Sequence, residues 1–289
     1  MLLSTSGEPL RLMAIHAHPD DESSKGAATM AKYVDEGIEV MVVSCTGGER
    51  GDVLNVAAQE SVDLLGIHEV RQREMAEAAQ ILGVQHEWLG FMDSGFPDGE
   101  PLPEDAFALV PLEVSVPPLV KLLRLFRPQV VTTYDENGGY PHPDHIQTHV
   151  ITMAAIRAAA NPEVLPELGP PHQVKKVYYN QQFHKARVVA LHDLLLKAEI
   201  ESPYVEWLEN WEDKPEDAER ITTSVECANF FPIRDAALKA HATQIEPDGR
   251  WFLVSTQLQQ RAWPTEEFQL ASSLVPVTLP ESDLFAGLR

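Results

Sequence analysis

The chain has 289 residues, 44% hydrophobic and 23% charged, long enough to bury a core without covalent staples. Acidic residues outnumber basic ones 44 to 22, for a formal net charge of -22. Such a surface repels phosphate backbones and anionic lipid, which excludes nucleic acid and membranes as partners.

Cys45 and Cys227 are too few for a disulfide framework or a structural zinc site. "MLLSTSGEPLRL" lacks the basic and continuous apolar regions of a signal peptide. No segment approaches the ~20 apolar residues of a membrane span. A cytoplasmic location is expected.

In chain order, residues 10–17 predict a buried strand, and residues 23–36, closed by Gly37, a helix. "IEVMVVSCT" (38–46) is a β-branched run of the kind buried on both faces of a parallel sheet. The glycine loop "GGERGD" follows. A stripe through Met75, Ala78, Ala79 and Leu82 predicts a helix over 69–82 that ends at Gly83.

Residues 86–91 read as a third strand, and 115–127 as a helix with Pro117 and Pro118 in its first turn. Residues 128–135 give a fourth strand, 144–160 a helix and 174–180 a fifth strand. This alternation predicts an α/β fold, a Rossmann-like parallel sheet with helices on both faces. Past residue 184 the pattern weakens: 233–244 reads as a helix, 203–219 as an acidic loop region, and the tail from 262 as an extended wrap. The expected organisation is one domain, 1–289, with a core over 1–182 and a C-terminal α/β elaboration over 183–289.

Ligands of open parallel sheets bind beyond the carboxyl ends of the strands. There the sequence places "HAHPDDE", "GGERGD" and "DENGGYPHPDH", and the first and third meet if strands one and four are neighbours. His18 and Asp21, three apart in a turn entering a helix, can be joined by His145. Two imidazoles, a carboxylate and an open position describe a catalytic zinc site. The same set also suits non-haem Fe(II). Asp20 is then left beside the metal as general base, and later as the acid for a leaving amine.

Other positions follow from these. His149 reads as a satisfied helix histidine and His16 as a strand residue turned to the opposite face. Tyr140 and His142 can be aimed at a developing oxyanion, with Asp144 holding His142 in one tautomer and raising its pKa. Arg71 lies on the inward stripe and needs a partner, either Asp93 or a substrate hydroxyl. Arg73 and Glu77 read as a solvated i,i+4 pair. No GxGxxG occurs in "TGGERGD", so it is not a dinucleotide fingerprint, and Trp207, Trp211, Trp251 and Trp263 read as core or rim.

With these residues in place, the chain resembles the LmbE/PIG-L family of zinc-dependent N-acetylglucosamine deacetylases. "HAHPDDE" and "GGYPHPDH" look like its two signature motifs, and "TGGERGD", "AHATQI", "WPTEEFQLA" and "VPVTLPESDLF" extend the likeness over nearly the whole chain. The resemblance implies zinc on His18, Asp21 and His145, with Asp20 as base. It implies that Tyr140 and His142 stabilise the tetrahedral intermediate, with Asp144 behind His142, and that Arg71 and Asp93 grip an inositol. Lys25 stands where the family's deacetylases have a small polar residue.

That points to the family's amidase branch and to a small-molecule substrate, a pseudodisaccharide thiol conjugate (a mycothiol S-conjugate), cleaved in detoxification. Two other readings stay open. One is a deacetylase of N-acetylglucosaminyl-inositol, and the other a non-catalytic metal-dependent carbohydrate-binding module.

Overall fold

The computed structural model describes all residues except 1, 6, 97, 98, 182, 212–218, 247 and 248, and the side chain of Arg250. Its strands are β1 (Arg11–His16), β2 (Glu39–Thr46), β3 (Gln85–Phe91), β4 (Val130–Thr133), β5 (Lys176–Asn180), β6 (Thr223–Glu226) and β7 (Thr265–Ser273). They form a sheet in the order β3-β2-β1-β4-β5-β7-β6. The first five in that order run parallel, whereas β7 is antiparallel to both β5 and β6.

Helices cover both faces of the sheet: α1 (Asp21–Ser24), α2 (Ala27–Asp35), α3 (Gln59–Leu65), α4 (Ile67–Leu82), α5 (Leu112–Phe126), α6 (Pro143–Ala160), α7 (Lys185–Lys197), α8 (Val205–Glu209), α9 (Phe231–Ala240) and α10 (Thr256–Ala262). Side chains alternate across a strand, so each central strand feeds two cores. Leu12, Ala14, Val40 and Val42 meet Met30 of α2 and Met75 and Leu82 of α4. Met13, Ile15, Met41 and Val43 meet Leu119 and Leu123 of α5 and Ile151 of α6. Each such large aliphatic side chain, fully buried, contributes about 1.5–3 kcal/mol. No helix among the described residues is long and apolar enough to cross a membrane.

The five expected strands are present, as are the helices between them, except that the expected 23–36 helix is broken: α1 ends at Ser24, Lys25 is extended and Gly26 left-handed before α2 starts at Ala27. Two further differences stand out. Helix α5 begins at Leu112, so Pro117 and Pro118 lie beyond its first turn. The turn opens earlier because the carbonyl of Pro111 accepts the N–H groups of Val114 and Ser115. The carbonyls deprived of a donor by the prolines belong to Glu113 and Val114, both exposed to water, so the helix tolerates them.

The second difference is the tail from 262, which supplies β7, an inner strand of the sheet, instead of only wrapping it. Its buried Glu266 and Glu267 hide the strand pattern. Glu266 accepts the N–H groups of Ala28 (3.3 Å) and Thr29 (2.8 Å) at the start of α2. Glu267 takes His184, Thr265 and Trp263. Within 203–219, helix α8 occupies Val205–Glu209, and residues 212–218 lie outside the description.

Both cysteines are buried and unpaired. Burial pushes the Cys45 thiol up to about 12 and the Cys227 thiol well above its usual range. Because the thiolate is the reactive form, a chromogenic disulfide reagent is expected to titrate neither thiol in the native chain and both after denaturation. A native thiol reacting within minutes would contradict this burial.

Candidate active site

β1 pairs directly with β4, with β2 and then β3 beyond β1 on one side and β5 beyond β4 on the other. The chain order therefore reverses between β1 and β4, and the loops leaving both strands open at this switch point. "HAHPDDE" and "GGYPHPDH" face each other there, as the spacing required.

The first loop turns sharply at Asp20, whose φ of 108° is rare outside glycine. Such a left-handed residue costs about 1–2 kcal/mol and persists only if it is held. Glu22 does the holding: its Oε2 accepts the Asp20 N–H at 3.0 Å, while its Oε1 lies 2.7 Å from Nε2 of His241. Neither Glu22 nor His241 is exposed. Burial alone would raise the Glu22 carboxyl, but the His241 imidazolium outweighs it and holds the pKa at about 2. Burial likewise opposes charge on His241, and Glu22 overrides it, raising that pKa.

Asp21 is the hub. Its Oδ2 accepts the Tyr134 hydroxyl at 2.6 Å and the His18 N–H at 3.0 Å. The same oxygen lies 3.4 Å from Nδ1 of His18 and 3.4 Å from Nε2 of His145. Its Oδ1 takes the Lys25 ammonium at 2.5 Å. Burial pushes this carboxyl up, but the Lys25 ammonium holds it well below the usual range.

His145 stacks on Tyr134 with ring centroids 4.1 Å apart, and its Nδ1–H donates to the Gly138 carbonyl at 2.9 Å. That bond puts the lone pair on Nε2, which is buried with no hydrogen-bond partner among the described residues. Gly138 is required here: its φ is 75°, and a Cβ would stand 2.7 Å from Cβ of His145.

The ring centroids of His18 and His145 are 5.4 Å apart. Donor atoms of His18, His142 and His145 lie within 4.8 Å of one another, as do those of His18, Asp93 and Asp144. Among the described residues two sets of side chains able to hold a metal ion therefore share His18, one of three imidazoles and one of His18 with two aspartates, and Asp21 belongs to neither. Burial disfavours charge on His18, but Asp144, Asp21 and Asp93 raise its pKa well above the usual value.

Asp144 does not stand behind His142. Its carboxylate accepts the Ser94 N–H (2.9 Å) and hydroxyl and lies 3.1 Å from Nε2 of His18. His142 instead caps α6: its Nδ1 accepts the Asp144 N–H at 3.1 Å, so the neutral ring carries its proton on Nε2. Its pKa is lowered to about 4, by burial and by the neighbouring His18 and His145, the opposite of the expected direction. The backbone claims Asp144's neighbour, and Ser94 with His18 claims its carboxylate. Tyr140, half exposed, places its ring 4.6 Å from that of His145.

Arg71 does not pair with Asp93. Its guanidinium donates to the carbonyls of Pro19 (2.5 Å) and Gly48 (2.9 Å) and lies 3.5 Å from Oδ2 of Asp20. Gly48, at φ 67°, leaves the space that this guanidinium fills. Asp93 instead accepts the N–H groups of Arg50 (3.1 Å) and Gly95 (2.8 Å) and stands 3.4 Å from His18. Arg73 pairs with Glu69, one turn back, rather than with Glu77. His149 bonds the Tyr134 carbonyl at 3.1 Å and stays outside the cluster. His16 is buried with neither ring nitrogen partnered, and burial lowers its pKa to about 4.

Sequence reasoning missed the supports. Glu22 sits in the quoted motif without an assigned task, and His241 lies in "AHATQI", where only the family pattern marked it. Tyr134 and Ser94 carry no local signal.

The open space above these groups is a polar cleft of about 500 Å³, walled by Asp20, Asp21, Arg50, Arg71, Asp93 and His142. A twisted α/β sheet with a histidine–carboxylate centre and a strained spare carboxylate at its switch point defines a class of site suited to hydrolysis.

The comparisons agree with that class. The PIG-L family profile, described as GlcNAc-PI de-N-acetylase, matches residues 13–156. The chain is 58% identical over 288 residues to mycothiol S-conjugate amidase of Streptomyces coelicolor, covering 98% of each. It is 39% identical to 1D-myo-inositol 2-acetamido-2-deoxy-alpha-D-glucopyranoside deacetylase of Streptomyces avermitilis, covering 96% of this chain and 97% of that one. Among solved structures, N,N'-diacetylchitobiose deacetylase of Pyrococcus horikoshii has the same fold, with a TM-score of 0.62 at 19% identity, over 90% of this chain and 83% of that one. The chain belongs to the PIG-L (LmbE) family of amidases and deacetylases.

Proposed function

We propose that the chain is a zinc-dependent amidase that cleaves mycothiol S-conjugates in the cytoplasm to glucosaminyl-inositol and a mercapturic acid. On this reading residues 1–182 form the catalytic core and 183–289 an elaboration of the same domain. The observation that carries the substrate is the 58% identity, over both full lengths, to a relative named for that reaction.

The residues present fit a metal. Ligands about 2.0–2.1 Å from a tetrahedral zinc stand about 3.3 Å apart. Asp21 Oδ2 is 3.4 Å from a nitrogen of His18 and 3.4 Å from one of His145, and the latter has no other partner. His18, Asp21 and His145 would hold the ion, with Lys25 and Tyr134 fixing the Asp21 carboxylate. When bound, zinc polarises the scissile carbonyl and acidifies water.

The remaining steps belong to side chains. Asp20 takes a proton from the attacking water and returns it to the leaving amine nitrogen. Burial raises its pKa and Arg71 opposes that rise, a balance suited to both tasks. His142, neutral with its proton on Nε2, and the Tyr140 hydroxyl donate to the developing oxyanion. Asp144 and Ser94 orient His18, while Arg71, Asp93 and Lys25 meet the substrate's polar groups.

The second reading, deacetylation of N-acetylglucosaminyl-inositol, is favoured by the relatives at 39% identity. Mass spectrometry of products from both substrates, with and without a chelator, decides between them. The conjugate is expected to be preferred by about 10-fold or more in kcat/KM, with activity lost on chelation and restored by zinc. Amine release from the acetyl compound alone makes the chain a deacetylase. Binding without release makes it a carbohydrate-binding module.

A further inference from the structure

A second cavity, about 280 Å³, lies behind α1 and is not part of the polar cleft. Its volume falls near the lower end of small-molecule sites, about 300–1,000 Å³. Phe183, Tyr204, Trp207 and Trp251 give it aromatic walls, and Leu191 contributes an aliphatic floor. Arg187 and Arg234 are its cationic groups, and Asp235, 2.7 Å from Arg234, is an anionic one.

Ser24 joins this cavity to the site already described. It lines the cavity, and its Oγ accepts from the Lys25 ammonium at 3.1 Å. The same ammonium holds Asp21 at 2.5 Å. Lys25 thus stands between Asp21 of the reacting centre and Ser24 of the chamber wall.

We propose that this chamber receives the S-substituent of the conjugate and selects aryl or other planar apolar groups. The inference rests on the amidase reading. In an S-substituted cysteinyl amide the sulfur is three bonds, about 4 Å, from the carbonyl carbon. A group on that sulfur therefore starts about 4 Å from the reacting carbon, and on this proposal its path to the chamber runs past Lys25. Aromatic walls favour edge and face contacts with a ring, and guanidinium groups favour its π face.

The test compares kcat/KM for S-methyl and S-benzyl conjugates in the zinc-loaded chain. The S-benzyl conjugate is expected to exceed the S-methyl one by about 10-fold or more. Leu191→Phe, which fills the chamber, should bring the benzyl-to-methyl ratio toward unity. Phe183→Ala, at a position 59% exposed and safe for folding, should reduce the ratio by about 3-fold or more. A ratio unchanged in both folded variants overturns the inference, as does equal cleavage of both conjugates by the native chain, and in either case the amidase reading stands. Cleavage of neither, with the acetyl compound still hydrolysed, overturns the amidase reading and this inference with it.

Discussion

Asp20→Asn is expected, on the proposed role of Asp20 as general base, to lower kcat by about 10²–10⁴ without loss of stability or of metal content. Asparagine keeps the side-chain shape and, like glycine, tolerates the positive φ of 108°. The backbone bond to Glu22 survives, and Arg71 keeps its carbonyl partners at Pro19 and Gly48. What disappears is the carboxylate that can accept and return a proton. Asp20→Gly should match this loss of turnover while gaining about 1 kcal/mol of stability from relief of the backbone. Metal content by elemental analysis and melting temperature separate the effects. Near-native turnover in metal-loaded Asp20→Asn would remove Asp20 from the mechanism.

His241→Ala should be among the most destabilising substitutions. It leaves the Glu22 carboxylate buried without its cation, a change that costs about 3–5 kcal/mol and lowers the melting temperature by about 6–15 °C. Its pH dependence identifies the cause. Glu22, depressed to about 2 in the native chain, contributes stability that is full above its unfolded value near 4.5 and is lost as pH falls toward 2. His241, raised above 6.5, contributes stability that is full below 6.5 and is lost as pH rises through its folded value.

The pair therefore works best between about pH 4.5 and 6.5, and there the variant's deficit is largest. Below that window Glu22 protonates and needs no cation, so the deficit shrinks. Denaturant unfolding of both chains from pH 3 to 7 measures it. A deficit independent of pH would mean that Glu22 and His241 do not form an ion pair. Turnover should also fall in the variant, since Glu22 anchors the backbone that aims Asp20.

Much of the core was legible because its signals are local. The β-branched run of β2, the Gly83 stop of α4 and the stripe leading to it depend only on neighbours within a few positions. That the two polar loops carrying His18, Asp21 and His145 would meet was legible from the motifs plus one topological condition, that β1 adjoins β4. The last inner strand was not legible: β7 buries two glutamates, and their reasons to be buried, the start of α2 and the ring of His184, lie far away in the chain.

By itself, then, the sequence determined the βα alternation, the two polar loops and the residue types that suit a metal and a base. Only the tertiary structure decided which group answers which: Arg71 with Asp20 instead of Asp93, Asp144 with Ser94 and His18 instead of His142, and Glu22 with His241 across 219 positions. The reason is geometric. Periodicity encodes which way a side chain faces along its own helix or strand, but partners from separate loops share no period, and strand order in the sheet alone sets their distance.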